Sequence, residues 1–170
     1  RRGVACACAA STPASSARRA PRTVSLVRHP IHRPPRPGVD VRLLLHEWCC
    51  SGGLGGPGRA AASPAEGLFR EGRAMLAALL RDGARSAGLE IAVLLDERLL
   101  RETGLAPEIP AGVTTIPVAP GAEIDALVAA AKHADRTLLV APESDGLLAE
   151  RVAAVRATGG DVIAPDARFL

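Results

Sequence analysis

From Val41 onward, short apolar runs alternate with helical stretches, and this alternation constrains the fold more than any other feature of the chain. The runs are Val41–Trp48, Ile91–Leu95, Val113–Val118, Thr137–Ala141 and Asp161–Ala164. None alternates cleanly between apolar and polar residues. Strands covered on both faces read this way, which points to a parallel sheet. Pro117 cannot donate to a ladder, so the third run is expected at a sheet edge. Between the runs lie helices. Ser63-Pro64-Ala65-Glu66 supplies a capping hydroxyl, a proline at the first helical position and a glutamate three residues after the cap. Leu68, Gly72, Met75, Leu76, Leu79 and Gly83 then follow helical spacing as one inward stripe, and Gly88 is expected to stop the helix. Pro120–His133 and Ser144–Thr158 read as two further helices, the last closed by Gly159-Gly160. The expected fold is α/β, an open parallel sheet of four to five strands with helices on both faces.

Residues 1–40 read differently. They hold eight arginines and a single acid, Asp40, for a charge of +7, whereas the remaining chain carries −4. They show no sustained period, and the segment His32–Gly38 is proline-rich. Such a stretch buries too little apolar surface to offset its ordering entropy, so a disordered Arg/Pro/Ser-rich tail is expected before an α/β domain over 41–170. Three readings of the tail stand: a targeting segment, a disordered arm, and translated sequence upstream of the true start. A secretory signal fits poorly, because no apolar stretch precedes a small-residue cleavage site.

Composition excludes several classes. No apolar run reaches the ~18 residues of a membrane-crossing helix. Aromatics are 2% of the chain, too few for a base-stacking surface, so nucleic acid is not expected as a partner despite the basic tail. Cys6, Cys8, Cys49 and Cys50 lack metal-type spacing, and a reducing cytoplasm is the default setting. A Cys–His46 nucleophile pair can be drawn on paper, although packing is the commoner role for such cysteines.

In an open parallel sheet, ligands sit beyond the carboxyl ends of the strands. The ends richest in polar or glycine residues are Glu47–Gly56 and Pro142–Asp145. If the first and fourth strands are neighbours, these loops face one crevice. The glycine cluster 52, 53, 55, 56 and 58 could bring backbone N–H groups to an anion, or be a surface loop. It matches neither G-x-G-x-x-G nor a P-loop, since the only lysine is Lys132. Glu143 and Asp145 could hold a substrate ammonium or a metal, or simply begin a helix. Asp96 and Glu97 more often cap the turn Arg98–Arg101. The candidate substrate-binding set is Glu47, Ser51, Gly52, Gly53, Glu143 and Asp145; no catalytic or metal-ligating residue is assigned.

Four segments in order carry a family resemblance: Leu43–Gly53, Leu68–Leu76, Val93–Leu99 and Ala141–Leu148. Over about 41–170 the chain resembles the N-terminal, Rossmann-like lobe of an ATP-grasp enzyme, of the branch that includes tyramine–glutamate ligase-like proteins. The resemblance implies an ATP- and Mg²⁺-dependent carboxylate–amine ligase with a small amine and a carboxylate as substrates. It also implies that the nucleotide clamp and metal carboxylates lie in later lobes, so that this chain is one lobe and inactive alone. The alternative is a stand-alone Rossmann-like module for a small anionic or nucleotide ligand.

Overall fold

The structure, a computed structural model, describes residues 38–54, 64–101 and 107–165. The expectations for the tail up to residue 37, the Ser63 capping hydroxyl and the glycines from 55 to 58 lie outside the described residues. The element order is β1 (Val41–Glu47), α1 (Pro64–Ala84), β2 (Leu89–Asp96), α2 (Glu97–Arg101), β3 (Thr114–Val118), α3 (Glu123–Ala131), β4 (Arg136–Val140), α4 (Leu147–Ala157) and β5 (Val162–Ile163). A 3₁₀ turn, Ser144–Gly146, leads into α4. The five strands form one sheet in the order β3-β2-β1-β4-β5, every pairing parallel. β3 is an edge strand, as Pro117 requires.

Strand residues alternate between two cores. Leu45, Ile91, Val93 and Leu95 pack with Leu76 and Leu80 of α1 on one face. Leu44, Leu94, Val118 and Leu139 pack with Leu127 of α3 and Leu148, Val152 and Val155 of α4 on the other. Covering both faces is what removes the polar alternation from the strand sequences.

Three details of the sequence reading need correction. Met75 is 41% exposed, while Leu80, absent from the expected stripe, is fully buried. The stripe that meets the sheet runs through Gly72, Leu76 and Leu80, one residue every helical turn. Met75 sits on the flank of α1 that reaches past β1 toward Val140, Ala141 and Pro142. Second, α1 ends at Ala84 rather than at Gly88. Gly88, at φ +77°, instead shapes the entry to β2, and its carbonyl accepts from the N–H groups of Asp40 (2.8 Å) and Val41 (3.1 Å). Third, α3 begins at Glu123, after Gly121 at φ +80°, and the expected helix from Ser144 is broken by Asp145 (φ +57°) and Gly146 (φ +68°). Two successive left-handed residues cannot continue a right-handed helix.

Candidate functional site

β1 and β4 are neighbours, with Leu43 to Glu47 in register with Arg136 to Val140. The chain runs from β1 outward to β3, then crosses back to β4 on the other side of β1. That reversal makes β1/β4 the switch point, where open α/β sheets leave a crevice. The Trp48 N–H donates to the Val140 carbonyl at 2.8 Å, so the two strand ends are tied together. The loops carrying Glu47, Ser51, Gly52 and Gly53, and Glu143 and Asp145, therefore leave the same edge of the sheet.

The turn after β1 is internally committed. The Glu47 carboxylate is buried, and its oxygens accept from the N–H groups of Cys49 (3.1 Å) and Cys50 (2.8 Å). The N–H of Ser51 donates to the Glu47 carbonyl (2.9 Å) and that of Gly53 to the Trp48 carbonyl (2.8 Å). The Ser51 hydroxyl donates to the Leu94 carbonyl (3.0 Å), and the Asp96 N–H donates to the Cys50 carbonyl (2.8 Å). These bonds lash the turn to β2. They also consume the donors that an anion cradle over 49–53 would need, and a carboxylate already occupies its centre. Gly53 is required because a Cβ there would fall on the Trp48 indole.

Glu143 and Asp145 are exposed at the same edge. Among the described residues neither makes a hydrogen bond or ion pair, and no side chain caps the 3₁₀ turn or α4. Their carboxylates are accessible acceptors rather than helix caps. Asp96 behaves as expected: its carboxylate accepts from the Arg98 N–H (2.8 Å) and pairs with the Arg98 guanidinium, starting α2.

Among the described residues, the cysteines and His46 do not pair. Cys50 packs in the α1 core and the Cys49 thiol lies beside the Leu68 carbonyl, whereas His46 faces α3 and α4. Both thiols are free and buried. Burial, reinforced by the Glu47 carboxylate, pushes the Cys49 thiol up to about 12, and the same causes push Cys50 further up. Neither is a thiolate nucleophile at neutral pH.

Sequence reasoning missed a buried charged network on the other face. His46 meets Glu123, and Arg151 grips Glu123 with two nitrogens, Nε at 2.9 Å and Nη2 at 2.7 Å. The Arg151 guanidinium also lies over the Trp48 ring, 5.9 Å from its centre. The signal was present: Arg151 falls between Leu148 and Val155 at helical spacing, and Glu123 stands one turn before Leu127.

Two cavities matter. One, of about 390 Å³, borders Arg42, Glu90, Thr114 and His133 near the amino ends of the strands, opposite the crevice. The other, of about 130 Å³, lies at the switch point under α1, against Glu47, Cys49, Glu71, Gly72 and Val140. Among the described residues no three His, Cys, Asp or Glu side chains converge to hold a metal. Lys132 follows α3, which returns the chain toward the start of β4, away from the crevice. The described residues thus do not fit an ATP–Mg²⁺ site.

No curated protein and no solved structure matches the chain. Residues 89–168 match the family model of the pre ATP-grasp 3 domain. The match spans β2 to β5 and stops short of β1 and α1, which carry Glu47–Gly53 and the α1 cavity. It supports an N-terminal lobe of the ATP-grasp kind.

Proposed function

We propose that the domain from Val41 is the substrate-side N-terminal lobe of an ATP-grasp carboxylate–amine ligase of the tyramine–glutamate ligase-like branch, working in a reducing cytoplasm and inactive by itself. The observation that carries this reading is the pre ATP-grasp match over 89–168, laid on a sheet whose switch point lies at β1/β4. ATP and Mg²⁺ find no binding set among the described residues, so no step through them is assigned to this lobe. Its own part is recognition. Glu143 and Asp145 stand free at the crevice edge and offer acceptors to an approaching amine. The alternative, a stand-alone module for an anion or nucleotide, is disfavoured by the acidic residues at this edge and by the committed N–H groups of 49–53.

The test compares two polypeptides: the 170-residue chain, and the chain extended by the coding sequence that follows Leu170. With ATP, Mg²⁺, an amine and a carboxylate, the first is expected to release no ADP above a heat-killed control. The second is expected to release ADP only when both substrates are present. Turnover by the 170-residue chain, or a following sequence without a lysine-bearing ATP-grasp lobe, overturns the reading.

A further inference from the structure

Three described carboxylates are buried: Glu47, Asp96 and Glu123. Two of them are matched by a guanidinium, Asp96 by Arg98 and Glu123 by Arg151. Glu47 is not. It is 2% exposed, it accepts from the N–H groups of Cys49 and Cys50 with both of their thiols beside it, and among the described residues no cationic side chain forms an ion pair with it. A buried charge is costly unless it is paired, and these neutral donors supply no counter-charge. Glu47 is also the one of the three that borders the switch-point cavity.

The cavity states what would complete it. Glu71, exposed on α1, adds a second carboxylate at its rim, and Leu68, Met75 and Val140 supply apolar wall. The Cys49 thiol, protonated at neutral pH, brings no charge of its own. A bare metal ion is disfavoured, because no set of three ligating side chains converges here among the described residues. At about 130 Å³ the space is well below the ~300 Å³ at which pockets enclose a whole drug-sized ligand, so it suits a head group and a few carbons. Gly72 makes room for the buried head group itself: a Cβ there would land on the Glu47 carboxylate and force it aside.

We infer that the cavity under α1 is a subsite for a primary ammonium group on a short apolar stem, with Glu47 as its buried counter-charge and Glu71 at its mouth. The site's use in amine selection rests on the ligase reading; its existence does not.

The experiment needs no ATP, so its failure is separate from failure of the ligase reading. The 170-residue chain, labelled with ¹⁵N, is titrated with n-propylammonium chloride, n-propanol and sodium propionate. The ammonium is expected to shift the amides of Cys49, Cys50 and Gly72 saturably, with affinity about tenfold above the alcohol, the scale of one charge-assisted hydrogen bond. Propionate is expected to leave them unmoved. Glu71→Gln should weaken ammonium binding about threefold, as an exposed charge does, and Glu47→Gln should abolish it. Should Glu47→Gln fail to fold, Met75→Trp, which plugs the cavity from an exposed position, must abolish binding instead. Equal response to the alcohol, or ammonium binding that survives both Glu71→Gln and the cavity variant, overturns the inference.

Discussion

His46 Nε2 stands 2.6 Å from Glu123 Oε1, with both side chains closed off from water. The contact joins the last turn-ward residues of β1 to the first residue of α3. Because Arg151 of α4 takes both oxygens of the same carboxylate, one Glu123 side chain holds three elements together beside the switch point. The His46 Nδ1 and Trp48 Nε1 atoms, buried next to this network, have no hydrogen-bond partner among the described residues.

Arg151→Ala removes the two-pronged partner and leaves Glu123 buried with His46 alone. The expected loss is about 3–5 kcal/mol, the usual cost of stranding a buried charge. Urea unfolding of the two proteins measures it. A loss below about 1 kcal/mol, the range of an exposed pair, would mean that water reaches Glu123.

Acid should weaken the domain through the same carboxylate. Burial alone pushes Glu123 up, but the hydrogen bonds and charges of His46 and Arg151 outweigh it and hold the carboxyl below its ordinary 4.5. A folded value below the unfolded one means that the unfolded chain takes up its proton first. The stabilisation is therefore complete above about pH 4.5 and is lost as pH falls through the folded value. Asp96, held low by Arg98 against its burial, adds a loss of the same sign as pH falls below 3.8. Unfolding midpoints taken from pH 7 down to pH 3 should fall most steeply below 4.5, and Glu123→Gln should flatten that limb while lowering the neutral plateau.

Alkylation should find Cys49 and Cys50 inert. Both are buried and their thiols remain protonated, so peptide-resolved iodoacetamide labelling at pH 8 is expected to modify them only under denaturing conditions. Labelling of Cys50 in the native protein within minutes would contradict its place in the α1 core.

Two glycines of α1 should respond to alanine with opposite signs. Gly67 has open space around its Cβ direction, so Gly67→Ala is expected to stabilise the helix by up to about 1 kcal/mol. At Gly72 the same methyl meets the Glu47 carboxylate. Overpacking of about 1–3 kcal/mol outweighs the propensity gain there, giving a net loss. Thermal unfolding of both variants settles the sign.

In a ligase-competent longer polypeptide, Asp145→Ala should raise the amine KM several-fold, roughly the value of one surface ion pair or hydrogen bond, and leave ATP affinity unchanged. Loss of ATP binding with the fold intact would remove Asp145 from the substrate side.

The layers, and the edge at which chemistry can occur, follow from the patterning of the chain. Non-alternating strand runs need cover on both faces, and parallel strands deliver all their carboxyl ends to one edge, so Glu47, Ser51, Glu143 and Asp145 were readable as residues of one edge. Pro117 likewise announced the edge strand, and Asp96 the cap of α2. Strand order was not readable, because apolar runs of equal character can be permuted without changing their pattern. Only tertiary structure put β1 beside β4 and so joined the two loops. It also decided what each polar group at that edge does. Glu47 and Ser51 are turned inward by bonds to Cys49, Cys50 and Leu94, which are either too local or too distant in the chain to be signalled by periodicity. Glu123 and Arg151 lie 28 residues apart and meet only when α3 and α4 pack on the same face, where burial forces their charges to pair.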